Sequence, residues 1–360
     1  MRNTFLDKII YAPGRGEADG EALKSLGRLP FVLYGAGWYA PYVREYLARF
    51  GLKAAACFVD DGFTSTGETV SFDEVRRKFG RFNIVIGFAD SRLARRKLAQ
   101  KDCGQTEGIY FFDVMGALLN CSLDRAYVER HKERFGMVHE LLCDGLSRET
   151  YAAFLNSRLG GGEEALYGVW RKDQYFPQDL VQLSDREVFV DGGAYTGDTL
   201  LSFIRKTKNE YERCYAFEPE PENLAKLNLL AERQLFRDVC VIGKGLWSRA
   251  ETLRFAAAEG LSGSAISRTG NTAIAVDSID NVAPDATFIK LDVEGAELEA
   301  LKGAAETIKR NRPKLAVCLY HKPGDLFEIP LFIKSLVPEY MFYLRQHQPV
   351  SCELVLYAVI

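Results

Sequence analysis

Residues 188–199 read VFVDGGAYTGDT, an apolar run that ends in an acid and then breaks into glycines. A strand that stops at Asp191, turns through Gly193 and Gly197 and opens a helix at Thr196–Thr199 belongs to open α/β architecture. Glycine lets such a turn pass close to a ligand, and the helix start directs free N–H groups at it. The turn alone does not separate binding from packing. Around it the pattern alternates: strands at 188–190, 214–217, 239–242, 287–291 and 315–320, and helices near 199–206, 221–233 and 296–308. The closing segments YMFYLRQH and CELVLYAVI, joined by QPVS, read as an antiparallel hairpin at the sheet edge.

The same alternation occurs earlier in the chain. FVLY (31–34), AAACFVDD, NIVIGFAD and GIYFFDV read as strands, and SFDEVRRKF and SRLARRKLAQK as helices, giving a smaller parallel-sheet unit. Between the two units, Tyr127, His131, Phe135, Val138 and Leu142 form one helical stripe and Tyr151, Phe154, Leu155 and Leu159 another. The expected division is residues 1–116 as a small Rossmann-like domain, 117–172 as a helical connector and 173–360 as the larger α/β domain. A chain of 360 residues has length for two cores.

Lys plus Arg number 46 against 49 Asp plus Glu, a net charge of −3, so no overall field draws the protein to nucleic acid or an anionic membrane. The eight cysteines form no C-x-x-C pair, and several sit in apolar runs, which predicts buried thiols in a reducing compartment. The N-terminus lacks the apolar core of a secretory signal, and no run reaches bilayer length. The expectation is a cytoplasmic protein acting on a small molecule or glycan, with neither nucleic acid nor membrane as partner. Oligomeric state is not readable.

CYAFEPEPENL ends its strand in Glu218, followed by Pro219, and places a carboxylate one strand over from the glycine turn, where a ribose diol would lie. Such a pocket suits adenosine in dinucleotides and in S-adenosylmethionine alike. TFIKLDVEGAELEALKGA, residues 287–304, separates them. Together with VDGGAYTGDT, FEPEPENLAKL, GLWS and the terminal hairpin, it resembles the FkbM-type S-adenosylmethionine-dependent methyltransferases over roughly residues 174–360.

That resemblance implies a class I methyltransferase fold: a Rossmann-like, seven-stranded sheet with an antiparallel terminal hairpin. It implies S-adenosyl-L-methionine as cofactor, with its methionine part against Gly193, Tyr195, Thr196 and Gly197. The ribose would lie on Glu218, the adenine beside Leu246 or Trp247, and Asp191 would face the amino group. Many members methylate hydroxyls on sugars or natural products. Tyr175 and Phe176, exposed-looking in DQYFPQDLVQL, would fold over the cofactor or pack in a connecting loop.

KLAVCLYHKPGD puts His321 just past an apolar strand, beside the strand that delivers Asp292. Methyl transfer to an alcohol needs a base as the new bond forms, so His321 is the expected base, with Asp292 orienting it or the substrate. Two such ligands fall short of a metal site, and none is assigned. Lys290 lies on the same strand face as Asp292 and reads equally as scaffold. His131, His139 and His347 read as ordinary surface or half-buried residues.

LYGAGWYAPYV gives the first unit a second glycine turn, with Asp60 and Asp61 ending its next strand. It resembles the nucleotide-binding domain of bacterial sugar acyltransferases, although Trp38 would crowd a pyrophosphate. A nucleotide-sugar anchor, an NAD site and a ligand-free docking module stay open. Three functions follow: an S-adenosylmethionine-dependent O-methyltransferase, an NAD-dependent oxidoreductase acting on a nucleotide sugar, and a non-catalytic binding protein. Variable loops, chiefly AAAEGLSGSAISRTG and the helical middle, would shape the acceptor pocket.

Overall fold

The computed structural model describes residues 9, 15–60, 69–101, 103–118, 123–160, 164–233, 236–256, 265–266 and 272–360. Most of the loop AAAEGLSGSAISRTG, together with Asp61 and Cys121, lies outside these residues.

The first unit is a five-stranded sheet of β1 (Phe31–Tyr34), β2 (Ala56–Phe58), β3 (Thr69–Val70), β4 (Phe82–Ile86) and β5 (Thr106–Tyr110), in the order β3-β2-β1-β4-β5. All its pairings are parallel, and β1 and β4 are buried at every position, as apolar runs flanked on both faces must be. The two-residue edge strand β3 carries no apolar run of its own, which is why the sequence pattern missed it.

Helices Arg125–Leu141 and Gly145–Arg158 follow, each opened by an aspartate, Asp124 or Asp144, whose side chain caps the first turn. Both are tied to the larger unit by hydrogen bonds. Ser147 Oγ accepts from the N–H of Leu344, Arg345 pairs with Asp144, and the Arg158 guanidinium donates to the carbonyls of Tyr320 and Ser351. Asp113, at the end of the first unit, accepts from the backbone and hydroxyl of Ser351. One cluster of buried side chains therefore runs from Leu33 and Val85 through Phe135 and Tyr151 to Tyr357.

The larger sheet holds β6 (Val188–Gly192), β7 (Arg213–Phe217), β8 (Val239–Ile242), β13 (Phe288–Leu291), β14 (Lys314–Cys318), β15 (Met341–Gln346) and β16 (Leu354–Val359). A separate four-stranded sheet, not foreseen in the sequence, comprises β9 (Gly245–Leu246), β10 (Glu251–Ala256), β11 (Ala265–Ile266) and β12 (Thr272–Asp277). The seven-stranded order is β15-β16-β14-β13-β6-β7-β8. Strands β6, β7, β8, β13 and β14 are mutually parallel, and β16 runs antiparallel to both β14 and β15. The hairpin thus ends in a strand inserted into the sheet, and its first strand forms the edge. This is the class I methyltransferase architecture, as expected.

The helix expected over 296–308 is two, Glu297–Lys302 and Ala305–Asn311. The break falls at Gly303, where a Cβ would lie 2.0 Å from the carbonyl oxygen of Trp247, so the helix can pass that backbone only as glycine. Of the cysteines, Cys57, Cys214, Cys318 and Cys352 are buried as expected, but Cys143 and Cys240 are exposed. Among the described residues no helix is long and apolar enough to cross a membrane.

Candidate active site

Strands β6, β7, β13 and β14 end at one rim, where parallel sheets of this kind receive ligands. After β6 the chain turns back under β7: the N–H groups of Gly193 and Ala194 donate to the carbonyl of Phe217. Gly193 has φ +74, and a Cβ there would sit 1.9 Å from the Asp292 carbonyl oxygen, so its glycine is fixed by the adjoining strand end. Gly197, at φ +93, caps the helix Asp198–Lys206 against Leu227 and Leu230.

Glu218 closes this turn. One carboxylate oxygen accepts the N–H of Tyr195 and the other that of Glu220, both at 2.9 Å. Each oxygen keeps lone pairs for a further donor. Burial raises its pKa, against the pull of the two N–H groups. Tyr195 is exposed beside it, Thr196 and Pro219 are half-buried, and Leu246 packs against the position a Cβ of Gly192 would take. Trp247, half-buried, donates its N–H to the Asp277 carbonyl.

Asp191 corrects the sequence reading. Its side chain is fully buried and 2.9 Å from Lys290 Nζ, itself 2% exposed, so the carboxylate does not line the rim for a cofactor amine. Register explains this, since Lys290 stands directly opposite Asp191 across β13 and β6. Lys290 also donates to the carbonyls of Gly192 and Gly193 and lies 5.1 Å from the centre of the Tyr175 ring. Burial works against its charge, but Asp191 and Asp292 hold its pKa up. Lys290 is the buried cation beneath the glycine turn.

Asp292 accepts from the hydroxyls of Tyr175 (2.7 Å) and Tyr320 (3.1 Å). Burial pushes its carboxyl up, but the charges of Lys290 and His321 and the two hydroxyls bring it below the usual range, so it stays ionised. Tyr175 and Phe176 are not exposed: Tyr175 is 6% and Phe176 2% accessible. Phe176 packs among Phe189, Phe203 and Phe288 as core. Tyr175 is fixed from behind, its N–H donating to Tyr357 Oη, which lies 2.8 Å from His347 Nε2. His347 is buried in this chain, not a surface residue, and its pKa is lowered to about 4, chiefly by burial.

His321 sits as expected at the rim beside Asp292, but its surroundings differ. Nδ1 lies 2.9 Å from Glu297 Oε1, and Nε2 lies 3.6 Å from Asp292 and 3.5 Å from Glu294. The orienting carboxylate is therefore Glu297, fully buried and anchored by the N–H groups of Val293 and Gly295. Burial favours the neutral ring, yet these carboxylates outweigh it and raise the imidazole well above its ordinary pKa.

Two further acids complete the pocket. Glu353 is pushed up to about 8 by burial and by Asp292, and Asp325 to about 7 by burial and by Glu297. Tyr175, Tyr195, Glu294 and Glu353, all at this site, have positive φ, a backbone state costing of order 1–3 kcal/mol each that persists where the surroundings impose it. The first unit reaches the same place. Burial and the charge of Glu294 raise the Tyr42 hydroxyl to about 12, with smaller contributions from Tyr195 and Glu353, and its ring is 6.2 Å from Trp38, which is 49% exposed.

The first glycine turn is built differently. A Cβ on Gly35 would lie 1.9 Å from the Phe88 ring, and Asp60 is bound by Lys97 (2.6 Å), Lys101 (3.4 Å) and Tyr34 Oη (2.8 Å). The acid expected to meet a ribose is thus already matched internally.

Residues 191–348 match the model of the Methyltransferase FkbM domain. Methyltransferase FkbM from Methylobacillus flagellatus KT is similar in structure over 99% of this chain and 98% of its own, with a TM-score of 0.66 at 24% identity. An rRNA methylase from Streptococcus thermophilus aligns over 49% of this chain and 87% of its own, at 14% identity and a TM-score of 0.33. A putative methyltransferase from Streptococcus mutans, in complex with SAH, aligns over 55% and 96%, at 14% identity and a TM-score of 0.31. No curated protein matches the chain.

Proposed function

We propose that the protein transfers the methyl group of S-adenosyl-L-methionine to a hydroxyl oxygen of a sugar, nucleotide sugar or other polyhydroxylated metabolite. The observation that carries the cofactor half is Glu218, a buried carboxylate beside the Gly193–Gly197 turn with lone pairs left on both oxygens for a ribose diol. The methionine part would lie along the turn at Tyr195, Thr196 and Gly197, and the adenine against Leu246 and Trp247. Support for the acceptor half comes from the rim: exposed Tyr195 and Trp38, with Tyr42 nearby, offer aromatic faces, and the acids around His321 offer hydrogen-bond acceptors for hydroxyls. Asp292, held by two tyrosines, would position the acceptor. Neither a nucleic acid nor a membrane is needed as partner. An NAD-dependent oxidoreductase is disfavoured, because Asp60 and Gly35 are occupied by the protein's own side chains.

Calorimetry with S-adenosylhomocysteine and with NAD, followed by a screen of nucleotide sugars and glycans with methyl-labelled cofactor, tests this reading. Binding of S-adenosylhomocysteine and label transfer to a hydroxylated acceptor are expected. Tighter binding of NAD would reverse the assignment.

A further inference from the structure

We infer that Asp292, Glu297 and His321 form a seat for a divalent metal ion of the Mn²⁺/Mg²⁺ class, open on one side to the acceptor oxygen. One donor atom from each of the three lies within 4.8 Å of the other two. They come from two neighbouring strand ends, Asp292 and Glu297 after β13 and His321 after β14, so the sheet fixes their approach.

Among the described residues, three buried atoms there have no hydrogen-bond partner. Glu297 is 0% exposed; its Oε1 receives the N–H groups of Val293 and Gly295, whereas its Oε2 receives nothing. His321 is 6% exposed, and neither ring nitrogen makes an aligned hydrogen bond, although carboxylate oxygens stand 2.9–3.6 Å away. A buried carboxylate oxygen and a buried imidazole nitrogen left without donor or acceptor are costly, and a cation between them satisfies both.

The donor set selects the ion. Two carboxylates and one imidazole are hard, mainly oxygen ligands, and the described residues around them offer no low-pKa thiolate. The adjoining trio of Asp292, Cys318 and Glu353 is less suited, since Glu353 already accepts from Gln174 and Cys318 Sγ lies against Tyr175 Oη. Glu294, with its side chain 52% exposed and 3.5 Å from His321 Nε2, marks the open side.

The role of the ion, though not its binding, rests on the methyl-transfer reading. A metal-bound hydroxyl is more acidic than a free one. The acceptor O–H proton passes to Glu294 and on to water. The oxygen lone pair then forms the new C–O bond to the methyl carbon as the C–S bond breaks, its electron pair remaining on sulfur.

The test is titration of chelator-treated full-length protein with Mn²⁺, read by the paramagnetic resonance signal of free Mn²⁺ and by calorimetry, with no methyl donor or acceptor present. One saturable equivalent is expected. Affinity should fall on the order of 10-fold or more in Asp292→Asn and in His321→Gln, and stay unchanged in Glu299→Gln, an acid of the same helix as Glu297 that pairs with Lys302. Wild-type protein that binds Mn²⁺ no better than Asp292→Asn overturns the site. Because either variant can misfold, Mn²⁺-induced broadening of histidine resonances in the wild type is a second reading: His321 must broaden before His131, and the reverse order overturns the site. S-adenosylhomocysteine titrated with chelator present separates the two claims. Its binding without metal binding removes only the metal, and metal binding without it removes only the methyl-transfer reading.

Discussion

Gly35 and Gly193 hold equivalent places in two parallel sheets, each just past a buried strand, yet different atoms stand where their side chains would be. At Gly35 it is the Phe88 ring; at Gly193 it is the backbone carbonyl of Asp292. Glycine in such a turn records a close approach and does not say what approaches. The acid one strand over is more telling. Asp60 is matched by Lys97, Lys101 and Tyr34, whereas Glu218 accepts, among the described residues, from two backbone N–H groups. The first arrangement is internally complete and the second keeps valence for a ligand.

The difference in burial between the two sheets' ion pairs gives the largest expected effect. Lys290→Ala leaves Asp191 charged or protonated in the core without its partner, and should cost roughly 3–5 kcal/mol in denaturant unfolding. A loss below 1 kcal/mol would mean that the second sheet's centre is no more dependent on its pair than the first.

Next is the contrast between the acids. Glu218→Ala should weaken S-adenosylhomocysteine on the order of 100-fold by calorimetry, since charge-assisted hydrogen bonds are each worth about 1.5–3 kcal/mol. Asp60→Ala should leave that affinity unchanged. Equal losses in both variants would erase the distinction drawn here.

A third test uses acid. All four histidines lie beyond the first sheet, and His347 is buried neutral with its pKa lowered to about 4. Its folded value lies below the unfolded value of 6.5, so the unfolded chain binds the proton first. Stability linked to it is complete above pH 6.5 and is lost as pH falls toward 4. The loss reaches about 2 kcal/mol by pH 5, because each step of one pH between the two values removes about 1.36 kcal/mol. Comparing wild type with His347→Gln isolates this share; parallel pH profiles would remove His347 from the account. The smallest effect belongs to Lys97→Ala, whose partly exposed pair with Asp60 should be worth under about 1 kcal/mol in the same melts.

The sequence carried much of this architecture. Apolar runs ending in Asp191, Glu218 and Asp292 located the central strands and their common rim, because parallel strands covered on both faces must be apolar until they reach the ligand edge. β10, with its alternation of polar and apolar residues in ETLRFA, gave no such signal. The pairing of Asp191 with Lys290 was equally hidden, since it arises from register between strands far apart in the chain. Glu297, Tyr320 and Glu353 enter the site from separate segments; Tyr320 adjoins His321 and Glu297 lies in the motif that delivers Asp292, but Glu353 had no neighbour that pointed to it. Tyr175 stands out in DQYFPQDLVQL, but its burial depends on Tyr357 and Lys290, which no local pattern reveals.

The inserted position of β16 also sets an order of events during synthesis. β15 pairs with no strand of its sheet except β16. On leaving the ribosome, then, its partner within the sheet is not yet made, although β14 is already made and waiting. The two must close on each other as a hairpin, a fast local step, before the pair docks on β14 as a unit. Until then β14 presents an unpaired edge, and with it the loop that carries Tyr320 and His321. A nascent chain stalled between the two strands would be vulnerable to edge-to-edge association at that point, and the site would be among the last parts of the molecule to take shape.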